Sequence, residues 1–237
     1  MRVVVSVGGS VLAPDLEPDR IGEYARVIET LDEAGHEVGV VVGGGPTARE
    51  YITTARELGA NEIELDQLGI AVTRLNGRLL IAALGDDAAT APVESYDEGR
   101  TALKRGDVPV MGGTVAGQTT DAVSAALAEH VGADLLVYAT SVPGVFSADP
   151  NEHDDAQRYD EIPASDLVDL LAGIEMNAGS NAPVDLLAAK IIERAGLRSI
   201  VLDGTDPVAV QRTVETGEHD GTDVVPEGLG AAPAAWE

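Results

Sequence analysis

The run Gly43-Gly44-Gly45 closes a strongly apolar segment of the chain, and Pro46 and Arg49 follow it. Glycine accepts backbone conformations that other residues avoid, and its missing side chain lets a ligand approach the main chain. Pro46 suits the first turn of a helix, whose free N–H groups and positive dipole end attract anions. Arg49 lies one helical turn further on and can form charge-assisted hydrogen bonds to the same anion. The stretch predicts a phosphate site, although a strand-to-helix turn without a ligand would use the same residues.

Two further glycine-rich loops follow predicted strands. Gly8-Gly9-Ser10 comes after the first apolar run, and Gly112-Gly113-Thr114 comes after a later one. Thr119-Thr120-Asp121 then begins the next predicted helix, where a capping role would need only one of the three polar residues. In a parallel sheet such loops gather at the carboxyl ends of the strands, where ligands bind. Three loops of this kind indicate several phosphate groups, as two nucleotides would bring.

Two familiar phosphate-binding motifs fit the chain poorly. The P-loop pattern G-x-x-x-x-G-K-[ST] is absent from the sequence. The dinucleotide pattern is nearly met by Gly43-x-Gly45-x-x-Ala48, with Asp66 about twenty residues further on. A dinucleotide enzyme would place that acid at the end of its second strand, whereas Asp66 precedes a helical pattern. A nicotinamide-dependent dehydrogenase therefore remains only an alternative.

Short apolar runs alternate with longer amphipathic segments along the chain. We predict strands at 2–7, 37–42, 91–95, 107–111, 134–139, 198–202 and 222–225, and helices at 18–35, 46–59, 65–85, 119–131, 164–172, 183–196 and 206–216. This alternation predicts a mainly parallel sheet with helices on both faces, a three-layer α/β/α sandwich. We expect one domain over residues 1–225, with a polar excursion or hairpin at 144–162 and a flexible tail at 226–237.

Composition limits the kinds of site that the chain can build. Its 237 residues include no cysteine, which excludes disulfides, thiolate zinc sites and cysteine nucleophiles. The 4 histidines are scattered without metal-ligand spacing. Apolar runs stay shorter than the about 18 residues of a membrane span. Because Gly8 and Gly9 interrupt the apolar start of the chain, we predict a first strand in a cytoplasmic protein rather than a secretory signal.

The charge of the chain is strongly unbalanced. It has 41 acidic and 15 basic residues, a net charge of −26, and its only lysines are Lys104 and Lys190. A protein with this net charge would repel nucleic acid and anionic membranes. Regular apolar segments argue against disorder, so we predict a folded protein with a carboxylate-rich surface, as in proteins of high-salt cytoplasm. A site for an anionic ligand must then be assembled from backbone amides, helix ends and a few arginines.

Taken in order and with their spacing, the sequence motifs resemble the amino-acid-kinase superfamily and, within it, the archaeal uridylate kinases. The resemblance covers roughly residues 1–225. Its carriers are "VGGSVL" (7–12), "VVVGGGPTAREYI" (40–52), "DQLGIAVTRLN" (66–76), "PVMGGTVAGQTTDA" (109–122), "ATSVPGVFSADP" (139–150) and "DLLAAKII" (185–192).

This resemblance implies transfer of the γ-phosphoryl group of MgATP to UMP, with ATP and UMP as partners, Mg²⁺ as cofactor and a homohexamer built from dimers. It implies ATP contacts at Gly9, Ser10, Gly45, Arg49, Thr140, Phe146 and Asp149. It implies UMP contacts at Gly44, Asp66, Thr114, Val115, Ala116, Gly117, Gln118, Thr119 and Thr120. Carbamate, acetylglutamate and isopentenyl phosphate are alternative acceptors within the superfamily.

Three of the implied contacts also have an ordinary structural explanation. An aspartate such as Asp66 suits the two ribose hydroxyls, but most isolated aspartates cap helices or face solvent. Phe146 is the only phenylalanine and could be plain core packing. Asp149 precedes Pro150 and could simply begin a turn.

One position departs from the pattern of the superfamily. Many members carry lysine where this chain has Ser6, so the transferred group lacks an obvious cation. Lys190 is the candidate substitute, although it could be a solvated residue on its helix. Asp121 and Asp185 are candidates to orient Mg²⁺ or other catalytic groups, and Arg49 completes the predicted catalytic set. Without a cation at position 6, a nucleotide-sensing module without catalysis is a further alternative.

Overall fold

The structure is a computed structural model that describes residues 1–148, 150, 153, 155–175, 184–227, 233 and 236. Its strands are β1 (Arg2–Val7), β2 (Glu37–Val42), β3 (Val110–Met111), β4 (Leu135–Thr140), β5 (Glu161–Pro163), β6 (Ser199–Asp203) and β7 (Thr222–Val225). Its helices are α1 (Gly9–Leu12), α2 (Pro18–Glu33), α3 (Gly45–Glu57), α4 (Glu62–Leu84), α5 (Tyr96–Arg105), α6 (Thr120–Val131), α7 (Ala164–Glu175), α8 (Leu186–Ala195) and α9 (Pro207–Thr216).

The strands form one 7-stranded sheet in the order β3-β2-β1-β4-β6-β7-β5. Pairing is parallel from β3 across to β6, and β6 pairs with β7 antiparallel. The carboxyl ends of β1, β2, β3, β4 and β6 therefore lie at the same edge, so the loops that follow them meet there.

Alternating side chains of the sheet supply two separate cores. In β1, Val3, Val5 and Val7 belong to one buried cluster, with apolar residues of α2, α4 and α9. Val4 belongs to the other cluster, with residues of α6, α7 and α8. Successive side chains of a strand point to opposite faces, so a strand covered on both sides reads as a continuous apolar run. The predicted α/β/α sandwich is confirmed.

The prediction was wrong between residues 91 and 107. Val93 forms only an isolated bridge to Met111, and the strand predicted at 107–111 is reduced to the two residues of β3. Helix α5, which had not been predicted, occupies the segment between them. Ser95 caps its start by accepting from Glu98 N at 3.2 Å, and Gly106 ends it in the left-handed conformation at φ 85°.

The polar region 144–162 contains a hairpin, one of the two alternatives predicted. Ser147 N donates to Gln157 O at 2.9 Å, and Tyr159 N donates to Val145 O at 2.9 Å. The short strand β5 follows, and it was not predicted. Trp236 lies in the segment 226–237, and its indole N–H donates to Val214 O at 2.9 Å. The flexible tail stays a prediction.

Candidate active site

Two glycine-rich loops touch each other through their backbones. We call Gly8–Ser10 loop 1 and Gly43–Gly45 loop 2. A Cβ atom on Gly9 would lie 2.2 Å from Gly45 N, and one on Gly43 would lie 2.6 Å from Gly9 N. Gly45 also has φ 64°, which other residues rarely adopt. Packing alone therefore requires glycine at these positions, and it brings the main chains that end β1 and β2 together.

Helix α3 begins directly at loop 2. Gly45 is its first residue, and Arg49 comes four positions later, on the same side of the helix. Arg49 is exposed, and no ion pair or hydrogen bond joins it to another residue in the described part of the chain. Helical side chains tilt towards the helix N-terminus, so the guanidinium can reach over loop 2.

The third loop, residues 112–119 (loop 3), lies against helix α4. Gly117 N donates to the Asp66 carboxylate at 2.8 Å, and the Thr114 hydroxyl donates to Gln118 Oε1 at 3.2 Å. Val115 is 61% exposed at the tip of the loop. The structure thus brings Asp66 together with the segment 114–120, which with Gly44 make up the predicted UMP site. Asp66 accepts this bond on one oxygen, so its other oxygen is open to a second donor.

Helix α4 also supports loops 2 and 3 through two polar residues that sequence reasoning missed. Asn76 is 2% exposed, and its amide donates to Gly43 O at 2.9 Å and to Gly44 O at 3.2 Å. Thr73 is 6% exposed, and its hydroxyl accepts from Gly113 N at 2.7 Å. In the sequence, they stand out only as two polar residues on the face of α4 that also carries buried Val72 and Leu80.

Two carboxylates meet where helices α6 and α8 begin. Thr119 caps α6 by accepting from Ala122 N at 3.1 Å, and its hydroxyl donates to Asp185. Asp185 caps α8 by accepting from Ala188 N at 3.0 Å. Since Thr119 is the cap, Asp121 is free for another role. Burial, and then the neighbouring Asp185 carboxylate, raise the pKa of Asp121 to about 7.

The Amino acid kinase family matches residues 1–203 of this sequence. The chain belongs to this family. A protein named uridylate kinase from Haloarcula marismortui is 72% identical over 227 residues, which cover 96% of this chain and 100% of that protein. Another protein of that name, from Methanocaldococcus jannaschii, is 51% identical over 207 residues, 86% of this chain and 92% of that protein.

Solved structures of amino acid kinases share the fold. The uridylate kinase from Archaeoglobus fulgidus superposes with a TM-score of 0.86 at 45% identity, over 95% of this chain and 100% of that chain. The UMP kinase from Bacillus anthracis superposes with a TM-score of 0.77 at 26% identity, over 94% of this chain and 95% of that chain.

The amino acid kinase motif after β4 is described in part. Thr140 ends the strand, and its hydroxyl donates to Val142 O at 2.9 Å. Phe146 is half-buried and forms an antiparallel bridge with Arg158. A cavity of about 330 Å³ adjoins this region, with Pro143, Arg158 and Asp203 in its lining. Asp149, the last residue predicted to contact ATP, lies outside the described residues.

The position at which many amino acid kinases carry lysine is closed to solvent here. Ser6 is buried in β1, between Val41 of β2 and Tyr138 of β4. Lys190 is exposed on α8, five residues after Asp185. Among the described residues, none forms a hydrogen bond or an ion pair with Lys190. The ammonium group is therefore available to a ligand.

Proposed function

We propose that this chain is a UMP kinase that transfers the γ-phosphoryl group of MgATP to UMP and gives UDP. The observation that carries the proposal is the meeting of loops 1, 2 and 3 at one sheet edge, with the Asp66 carboxylate against loop 3. Its relatives support the choice of acceptor, since proteins 72% and 66% identical are named uridylate kinase. The reaction uses water-soluble nucleotides, which fits a cytoplasmic enzyme of pyrimidine nucleotide synthesis.

In this proposal the two substrates approach the loops from opposite sides. Gly9, Ser10, Gly45 and Arg49 contact the ATP phosphates, while Thr140, Phe146 and Asp149 hold the base and ribose of ATP. Gly44 and residues 114–120 surround UMP, and Asp66 accepts from its ribose hydroxyls. Phosphoryl transfer needs mainly positioning and neutralisation of charge. Backbone amides supply fixed donors for this purpose, and they add no negative charge to an acidic protein.

Mg²⁺ fits the pair Asp121 and Asp185. Burial, and then the neighbouring Asp185 carboxylate, raise the pKa of Asp121, so a cation beside the two carboxylates would favour their ionised forms. Within the described residues there is no group of three or more His, Cys, Asp or Glu suited to a metal. A magnesium ion carried by nucleotide phosphates needs only one or two protein carboxylates. When bound, the ion neutralises charge on the phosphate oxygens, and Asp121 and Asp185 would orient it.

Lys190 is the proposed source of the positive charge that Ser6 does not provide. Two features support this role: the ammonium has no partner among the described residues, and α8 is capped by Asp185, which contacts loop 3 through Thr119. A lysine on a flexible stem can follow the transferred group from one substrate to the other.

A panel of phosphate acceptors tests the proposed reaction. With MgATP in molar KCl, we expect kcat/KM for UMP to exceed that for CMP, carbamate, acetylglutamate and isopentenyl phosphate by at least about 100-fold. The reason is that buried polar groups built for one ligand are left unpaired by another. The measurement is initial rates with a coupled ADP assay. Equal turnover of a non-nucleotide acceptor would contradict the proposal, and NADH binding without kinase activity would favour the dehydrogenase alternative.

We also propose that the chain assembles into a homohexamer built from dimers, with α3 and α4 at the dimer contact. In α3 only Ala48 is buried, and large apolar side chains are exposed on the two helices and at Leu58, which directly follows α3: Tyr51 56%, Leu58 84%, Ile63 56%, Leu75 57% and Leu79 42%. Segment 62–87 is also long and apolar enough to cross a membrane by length and composition. Its inner face holds the site loops, so we assign its exposed face to a second copy.

Replacing Leu75 with glutamate tests this contact. We expect Leu75→Glu to reduce the mass measured by light scattering after gel filtration in molar KCl, because each copy would bury a charge at the interface. The matched control is Val208→Glu, which adds the same charge at a residue 60% exposed on α9 and should keep the wild-type mass. An unchanged mass for Leu75→Glu would contradict the contact, and flotation of the wild type with vesicles would favour a membrane.

A further inference from the structure

The inner face of α4 holds two of the three site loops through buried polar side chains. We propose that Asn76 and Thr73 are positioning residues for phosphoryl transfer, a role that rests on the proposed function. Neither touches a substrate in this proposal. They fix the backbone of loops 2 and 3 so that the amides of these loops present one defined geometry to the phosphates.

Asn76 helps to fix which way the peptide groups of loop 2 face. Its amide donates to the carbonyl oxygens of Gly43 and Gly44, and the Gly44 carbonyl also accepts from Ala48 N of α3 at 3.3 Å. In a trans peptide unit the C=O and the following N–H point in opposite directions. Holding these two carbonyls against α4 therefore turns the N–H groups of Gly44 and Gly45 away from the helix. Gly45 N lies on the side of Gly9, since a Cβ atom on Gly9 would be 2.2 Å from it.

Thr73 does the same for loop 3 through its hydroxyl. The oxygen accepts from Gly113 N at 2.7 Å, and the hydroxyl donates to Ile70 O at 2.7 Å within α4. The loop is also pressed on the helix, because a Cβ atom on Gly112 would lie 2.5 Å from Thr73 Oγ1. Loop 3 therefore cannot shift away from α4 without losing a buried hydrogen bond.

One rigid helix consequently sets the distance between the two loops. Thr73 and Asn76 are three residues apart, about 4.5 Å along the helix axis, and share the same face. Asp66 lies about two turns before Thr73 and accepts from Gly117 further along loop 3. Helix α4 therefore aligns loops 2 and 3, which carry residues proposed to contact ATP and UMP. In-line transfer depends on that alignment, and misplacement by about 1 Å costs about 100-fold in rate.

The first test replaces Asn76 with the isosteric aspartate. Asn76→Asp removes both donors and sets a carboxylate against two carbonyl oxygens. We expect kcat to fall by about 100-fold while both KM values change by less than about threefold, since alignment acts on the transition state. We expect a smaller deficit at about pH 6 than at pH 8.5, because burial raises the pKa of such a carboxyl and its protonated form can donate.

The matched control makes the same substitution at the start of the same helix. Asn61 caps α4 by accepting from Ile63 N at 3.1 Å and Glu64 N at 3.2 Å. Aspartate is an equally good cap, so Asn61→Asp should keep wild-type kinetics and the wild-type pH profile. If Asn76→Asp and Asn61→Asp show equal kcat values, the proposal is overturned. An inactive wild type would instead refute the proposed function, leaving the geometry of α4 untouched.

A second pair of variants decides the matter if Asn76→Asp does not fold. Thr73→Val keeps the shape of the side chain but leaves Gly113 N without its partner, whereas Thr73→Ser keeps the hydroxyl. We expect kcat to fall by about 10-fold or more in Thr73→Val and to recover in Thr73→Ser. Thr213→Val is the control, since Thr213 is also buried, on α9, and its hydroxyl donates to Ala209 O at 2.8 Å. If both valine variants have a lower melting temperature than the wild type but an unchanged kcat, the positioning role is overturned.

Discussion

Arg49→Ala is expected to lower kcat/KM for UMP phosphorylation by at least about 100-fold, with the fold intact. Arg49 is exposed and unpaired within the described structure, and it lies one turn above Gly45 at the start of α3. A charge-assisted bond from such a residue to a transferred phosphate is worth about 2–4 kcal/mol. Removing an unpaired side chain leaves no buried partner behind, so the melting temperature should not change.

Arg56→Ala is the matched control for this prediction. Arg56 is seven residues further along α3, on the same face as Arg49, and its partner is Glu62 at 3.3 Å. Exposed pairs of this kind contribute little to stability, so near-normal kinetics and melting are expected. Arg49→Lys should recover only part of the activity, because an ammonium keeps the charge without the planar fork of donors. If Arg49→Ala and Arg56→Ala behave alike, Arg49 is a surface residue without a role in transfer.

The buried parallel strands were predictable because burial on both faces makes a strand apolar along nearly its whole length. β1, β2 and β4 are covered on both faces, and nearly every residue in them is apolar. The apolar pattern of helix α5 is weaker, since the helix buries only Gly99, Ala102 and Leu103. The capping pair Ser95 and Glu98 marked its start, but the apolar residues before it suggested a strand.

The candidate site was predictable in its loops and less so in their supports. Gly9, Gly45 and Asp66 belong to recurring motifs, and the structure brings each beside its expected neighbours. Asn76 and Thr73 lie in the stretch 66–76 that carries the family resemblance, but the resemblance implies no substrate contact for either of them. A polar residue on the core side of a helix reads as an interruption of the apolar face, and only the folded loop shows which carbonyl or amide it meets. Which of Thr119, Thr120 and Asp121 caps α6 was likewise undecided until Thr119 proved to be the cap.

The net charge of −26 predicts that stability depends strongly on salt. Carboxylates crowd one another on the folded surface: burial, and then the neighbouring Asp87 and Glu33 carboxylates, raise the pKa of Asp32. Among the described residues, ion pairs such as Arg194 with Glu129 are few, whereas the full sequence has 41 acidic residues. The Debye length falls from about 30 Å at 0.01 M salt to about 3 Å at 1 M, so molar salt screens nearly all of this repulsion.

We therefore expect the melting temperature to rise steadily from dilute to molar KCl, and the assembly to dissociate or unfold below about 0.1 M. Acid would also relieve the repulsion, but it would protonate carboxylates throughout the protein, so salt is the cleaner variable. MgATP and UMP should raise the melting temperature at every salt concentration, because they bind only the native state. The measurements are thermal melting and gel filtration with light scattering across a KCl series. A melting temperature that stays flat or falls as salt rises would contradict the prediction, and the acidic surface would then need an explanation other than screening.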